Sequence, residues 1–372
     1  MVDSPLTTYG NTLTHRRAIT DYISLIDPSD TVVIETLGGF NGAASKVRLQ
    51  NWPSTKVEWL EDTLNPLNDQ LNGSITSSAT SITVDDASVF EPGMVILIDA
   101  EYIWVSAVNT STNVLTVVRH FGGTQASHSD NAPVYIKTMA RLEGADSDSV
   151  AVTARTAPYN YTGIFHQEVS VSRSKRRISQ YGISDEMEYQ INKAVPSLAR
   201  LVNLGFYHGQ RKAGSASTPR AFGGYKTFIV SNTVSAGGAV TKAKFQEAIR
   251  KAYKAGGAGE WNAYCSPENA QVITNFYDNT SYLRVTPEQE QVGMVIKRIL
   301  TPFGIANIIV DRFAPSDEIP LIDPTRAGFL EYEPFFWREL GVKGDKDTTE
   351  VVGEFTFVLA NEKAHARITG IS

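Results

Sequence analysis

Cysteine is nearly absent: one thiol in 372 residues, Cys265, cannot close an internal disulfide. The fold therefore needs no oxidising compartment, and synthesis in a reducing, intracellular place is expected. Long apolar runs are missing as well. No window approaches the roughly eighteen apolar residues of a membrane span, and the start, MVDSPLTTYGNTLTHRR, has neither the basic opening nor the apolar stretch of a signal peptide. A protein that stays soluble where it is made, with no membrane partner, is expected. A basic excess is the third absence. Thirty-four Lys and Arg against forty Asp and Glu leave a net charge of -6, the wrong sign for a protein whose main work is gripping phosphates.

Catalytic signatures are absent too. There is no GxGxxG after a strand, no GxxxxGK[ST], no GxSxG and no HExxH. The nearest phosphate-loop lookalike, GGFNGAASK at 38–46, has the wrong spacing and no apolar helix behind it. Among six dispersed histidines only His120 and His128, with Asp130, lie close enough to suggest metal ligation. Zinc asks for three or four ligands held by a second layer of hydrogen bonds, and FGGTQASHSDN reads more simply as a loop at the tip of a β module. No metal and no cofactor are expected. A hydrolase built from Ser266 or Cys265 with His365 stays open only because a triad can occur in any order.

What is present is a soluble, turn-rich composition: 42% apolar, 20% charged, 28 Gly and 16 Pro, enough chain for two or three domains. Residues 1 to about 70 carry Tyr9, Tyr22, Phe40, Trp52 and Trp59 with little periodicity, so these rings must be buried on the rest of the chain or on a neighbour. From 71 to 138 the texture turns to short β runs about ten residues apart, SITVDD, MVILID, YIWVSAV, NVLTVV and APVYIKT. This spacing predicts a small antiparallel sandwich or barrel. Its flanks, KVEW (56–59) and SVAVTAR (149–155), are placed to pair as arms of one long hairpin.

A strand-like GIFHQEVSVS leads to the strongest helix of the chain, predicted over 185–211, with Ser184 as cap and Asp185 and Glu186 at the positive end of the dipole. Met187, Ile191, Val195, Leu198, Val202 and Phe206 draw one apolar stripe along it, and Pro196 is expected to kink it. Residues 235–325 read as an α/β unit. One helix is opened by Thr241 and carries Phe245, Ile249, Ala252 and Tyr253; a second is opened by Ser266–Pro267. The strands VGMVIKRIL and IANIIVDRF follow. Beyond 323 the tail is strand-rich and must pair upstream. The one compact basic cluster, SRSKRR with Arg173, Lys175, Arg176 and Arg177, either faces DNA or acidic patches on a neighbour, or is a solvated turn.

In this order the parts resemble the major capsid proteins of tailed phages, and look most like a branch found in some short-tailed phages. The resemblance rests on RTAPYNYTGIFHQEVSVSRSKRRISQYG (155–182), the long helix after it, and PFFWRELGVKGDKDTTEVVGEFTFVLANEKAHARITGI near the end. It implies an α+β fold of the Hong Kong 97 type with an inserted all-β module. The implied parts are an N-terminal arm (1–45), an extended loop (46–70 and 141–172), the β insertion (71–138), a peripheral domain (173–234 and 326–372) with the spine helix at 185–211, and an axial domain (235–325). The implied partners are copies of the chain in hexamers and pentamers, portal and scaffold proteins, and packaged double-stranded DNA bound without sequence specificity. The implied place is the virion, assembled in the bacterial cytoplasm.

On this reading the extended loop lies across an adjacent subunit. Trp52, Trp59, Arg155, Tyr159, Tyr161 and Phe165 are its candidate interface residues, and replacing Trp59 by Ala should weaken assembly without unfolding the subunit. A phage tail or baseplate protein is the main alternative, since the β module alone suits one.

Overall fold

The computed structural model describes residues 30–40, 53–144, 153–178, 182–276, 297–341 and 344–372. Two compact units account for them: 60–157, and the remainder of the chain on either side of it.

The unit 60–157 has strands at Asn68–Gln70, Ser81–Thr83, Met94–Ile98, Glu101–Asn109, Val114–Gly122 and Pro133–Met139. The outermost strands of this sheet are the first and second in sequence, and a bridge between Leu71 and Val84 joins them. The expected barrel is therefore a closed one, and closure leaves no free sheet edge. Alternation does the rest: Ile82, Ile96, Ile98, Ile103, Val105, Leu115, Val117 and Val134 point inward and form one core. The sequence reading placed this boundary at 71–138. The compact unit is wider because its connecting arms, linked by a bridge between Glu61 and Thr156, belong with it.

The other unit is organised by the long helix, Glu186–His208. Asp185, rather than the expected Ser184, caps it by accepting the Met187 N–H at 2.8 Å. The helix runs on through Pro196. Its buried face is Met187, Ala194, Leu198, Val202, Asn203, Phe206 and Tyr207; Val195, counted in the apolar stripe, is 36% exposed, and Ala194 takes the inward position. The helix ends where the chain at 222–224 crosses it closely. A Cβ on Gly205 would overlap the Phe222 ring, and one on Gly224 would overlap the Phe206 carbonyl, so glycine is required at both.

One face of a three-stranded antiparallel sheet packs on this helix. Its strands are Ala327–Leu340 at one edge, Lys346–Leu359 in the centre and Gly163–Ser172 at the other edge. Val169, Val171 and Val351 of the sheet meet Met187, Ala194 and Leu198 of the helix.

The α/β part is a six-stranded sheet of Thr233–Ser235, Ala366–Thr369, Glu318–Ile322, Glu260–Cys265, Gly304–Val310 and Arg298–Thr301, in that spatial order. Helices Lys242–Lys254 and Pro267–Asn275, capped by Thr241 and Ser266 as expected, pack on it. Two details differ from expectation. Tyr253 is 51% exposed and not on the buried face. Ala366–Thr369 joins this sheet by pairing with Thr233–Ser235 and Glu318–Leu321, so the chain end, assigned by sequence to the peripheral part, returns to the α/β part.

Candidate assembly surfaces

The base of the predicted hairpin is present, with a different partner. Lys56–Glu58 pairs antiparallel with Tyr159–Tyr161, not with 149–155, whose first four residues fall outside the described ones. The pair is anchored to its own subunit. The Asn160 side chain is fully buried; it donates to the Gly223 carbonyl at 3.0 Å and the Phe357 carbonyl at 2.6 Å, and accepts the Gly223 N–H at 2.8 Å. Thr356 donates to the Tyr161 carbonyl at 2.8 Å, and Thr162 and Arg220 both donate to the buried Glu354 carboxylate.

This anchoring corrects the reading of Trp59. It is 7% exposed, packs 5.7 Å from the Phe228 ring, and belongs to the main hydrophobic core with Val57, Phe206, Tyr225 and Phe329. Trp59 therefore holds its own subunit together. Phe165 is half-buried between Phe222 and Phe355. Tyr159 lies between two cations, Lys56 Nζ and Arg211 Cζ, each 4.3 Å from its ring centre, and Tyr161 meets it edge-on at 5.7 Å. Arg155 is exposed and bonds Asp62 at 3.2 Å. Trp52 lies outside the described residues.

Surfaces that the sequence reading passed over are apolar and open. Leu60 is 74% exposed, Leu64 93%, Leu67 67% and Leu142 71%, all on the two arms entering the barrel. Four such leucines within two short stretches make these arms the candidate apolar assembly surface. The signal was legible in EDTLNPL: leucines recur in a polar stretch that has neither strand nor helix periodicity.

The basic cluster forms a short exposed helix, Arg173–Arg177. Arg173 pairs with Asp345 at 2.9 Å, Lys175 with Glu186 at 4.0 Å, and Arg176 with both Asp185 (3.1 Å) and Asp347 (2.8 Å). Among the described residues only Arg177 of the four has no such partner. The helix thus ties the long helix to the central strand, and one cation stays open.

The residues considered for catalysis are occupied structurally. Burial pushes the Cys265 thiol well above its ordinary value. Ser266 Oγ caps a helix by accepting the Asn269 N–H. Burial lowers the His365 imidazole to about 4; its Nδ1 accepts the Asp323 N–H at 3.0 Å and its Nε2 lies 3.1 Å from the Ala360 carbonyl. His128, considered as a metal ligand, belongs to an ion network inside the barrel. Glu101, with a fully buried side chain, receives Arg119 through two nitrogens at 2.8 and 2.7 Å, His128 Nε2 at 3.1 Å, and the N–H groups of His120 and Ala126. Burial alone would raise the Glu101 carboxyl, but these donors outweigh it and hold it at about 2. Asp130 accepts the Gly73 N–H. His120, Asp130 and their neighbours thus shape a loop, and among the described residues no group of three or more His, Cys, Asp or Glu is set to hold a metal.

A long helix on a long antiparallel sheet, an α/β unit and a hairpin interrupted by a barrel define an α+β architecture of the Hong Kong 97 capsid type. Solved capsids share it. The chain superposes on the capsid of Cyanophage A-1(L) with a TM-score of 0.58 at 11% identity, covering 98% of this chain and 99% of that one. For the capsid of the native GTA particle the score is 0.56 at 10% identity, over all of both chains, and for Microbacterium phage Oxtober96 it is 0.54 at 10% identity, over 99% and 100%. No curated protein matches the sequence. The family model of the SU10 major capsid protein matches residues 5–372, and the chain belongs to that family. It is a major capsid protein: copies of it build the icosahedral shell of a virion, and the tail or baseplate alternative is set aside.

Proposed function

We propose that the two arms around the barrel, 46–70 and 141–172, form the extended loop that lies across the adjacent subunit, and that Leu60, Leu64, Leu67 and Leu142 are its main apolar contacts. Their exposure carries this reading: leucines more than two-thirds open to solvent in the single chain gain about 1.5–3 kcal/mol each when fully covered. Arg155, Tyr159 and Tyr161 lie along the same arms and supply polar and aromatic contacts at their edge. The α/β part acts as the axial domain, meeting its copies in pentamers and hexamers, and the long helix with the three-stranded sheet acts as the peripheral domain. Portal and scaffold proteins complete the assembly, and the shell encloses double-stranded DNA without reading its sequence.

Charge supports an outward place for the barrel. Residues 60–157 hold four basic and twelve acidic side chains, net -8, which leaves 30 basic against 28 acidic, net +2, for the rest of the chain. A -8 unit beside packaged DNA would be repelled; the +2 body would not. Arg177 is then a candidate contact to DNA or to a neighbouring acidic patch.

The test is a triple variant, Leu60→Asp, Leu64→Asp and Leu67→Asp, expressed and viewed by negative-stain microscopy. Soluble, folded subunits without shells are expected. Shells at wild-type yield would contradict the assignment.

A further inference from the structure

Two features on the three-stranded sheet remain unused by this reading. The first is Trp337, 58% exposed near the end of strand Ala327–Leu340. Its indole N–H has no hydrogen-bond partner among the described residues. The second is an open surface groove, here called the cavity, of about 620 Å³, lined in part by Thr55, Tyr161, Ile164, Ser215, Thr218 and Arg220.

Strand register puts them on opposite faces. Trp337 stands directly across from Val351, and Val351 is buried against the long helix, so Trp337 is on the helix-bearing face. Ile164 stands across from Glu354. Positions 351 and 354 are an odd three steps apart, so the alternation of a strand sends Ile164 and the cavity to the other face. The indole and the cavity therefore cannot meet within one molecule.

We propose that Trp337 of one subunit inserts into this cavity on a second copy of the chain. The chemistry matches. At about 620 Å³ the groove has room for an indole. Ile164 and Tyr161 supply apolar wall, the Arg220 guanidinium at the lining supplies a cation for the indole face, and the Ser215 and Thr218 hydroxyls offer acceptors for its N–H. Tryptophan and arginine are also the residues that most often dominate interface energy. Because knob and hole are different patches on opposite faces, the contact is head-to-tail, the kind that generates rings from identical subunits rather than closed pairs. The inference rests on the shell-building assignment and deepens the extended-loop reading, since Thr55, Tyr161 and Ile164 lie on its arms and Trp337 is the residue they would meet.

Cys265 is the sole cysteine and is buried, which makes cross-linking clean. The experiment is the double variant Glu339→Cys and Ser215→Cys, which keeps the indole and sets one thiol two residues along the same strand face, assembled, treated with a bifunctional maleimide, and run on a denaturing gel beside each single variant. A ladder of covalent multimers from the double variant alone is expected. Shells visible by microscopy that run only as monomers would overturn this contact while leaving shell building intact. In parallel, Trp337→Ala should raise the subunit concentration needed for assembly roughly tenfold or more, the scale of a hot-spot truncation. An unchanged threshold would also overturn it.

Discussion

At the scale of single residues, stability and assembly separate cleanly. Trp59 is a core residue, so Trp59→Ala should cost about 3–5 kcal/mol of folding stability, read from denaturant unfolding of dissociated subunits. A loss below about 1 kcal/mol would show that its ring is dispensable to the core. Glu101 gives a pH signature. Its carboxyl sits at about 2 in the fold against an ordinary value of 4.5. A group with a depressed folded value stabilises fully above the unfolded value and loses that contribution as pH falls. The barrel should therefore hold its network at pH 5 and weaken between about 4.5 and 2. Glu101→Gln should remove that slope and lower stability at neutral pH, since Arg119 is left buried without its carboxylate. Near-ultraviolet circular dichroism against pH checks both. A slope unchanged in the variant would assign the acid response to other groups; His365, lowered from 6.5 to about 4 by burial in the body of the subunit, gives its own loss earlier, between about pH 6.5 and 4.

At the scale of elements, most local structure was legible in the sequence, for reasons that can be named. The barrel strands announced themselves by alternation and regular turns, and two helices by their caps Thr241 and Ser266; the long helix was legible from its apolar stripe and acidic start, though its cap is Asp185 and not the expected Ser184. Partners were harder to read. KVEW is strand-like in sequence, but nothing in it says that Tyr159–Tyr161, rather than 149–155, will be across from it; the choice is made by Asn160, whose side chain bonds chain segments more than sixty residues away. The buried state of Trp59 follows from the same anchoring and was invisible for the same reason. Ion pairing of the basic helix was also out of reach, since Asp345 and Asp347 lie about 170 residues downstream. These pairs are exposed, so Arg176→Ala should change stability by less than about 1 kcal/mol, and by less again at high salt. A larger loss in thermal unfolding would give the basic helix a structural weight that its exposure denies.

The inserted barrel is the element whose independence is easiest to test. The Trp59 N–H bonds the Pro158 carbonyl at 3.1 Å, so the two ends of the cut lie side by side and a short Gly/Ser turn can replace 60–157. The trimmed chain should keep its helix content and a cooperative thermal transition, because the barrel has its own core. Loss of cooperativity would mean that the body depends on the barrel to fold. The same chain lacks the exposed leucines and should assemble poorly.

At the scale of the whole molecule, the subunit combines a well-packed body with apolar side chains that stand open among the described residues. Phe206, Tyr207, Tyr225, Tyr264 and Phe357 form a dense aromatic core. A buried polar chain links Val33 N–H to Asn203, then Asn203 and Tyr207 to Asp311, tying the short helix Val32–Thr36 and the α/β part to the long helix. Rigidity of this kind suits a tile, which must present several contacts at fixed angles so that many modest interfaces add up to a stable cage. The most direct measurement is electron microscopy with analytical ultracentrifugation of the purified chain, expressed with a scaffold protein where one is needed. Closed shells of uniform diameter, lost in the leucine variant and retained when the exposed Arg176 is replaced, are the predicted result. A stable folded monomer that never enters a particle under any of these conditions would contradict the account.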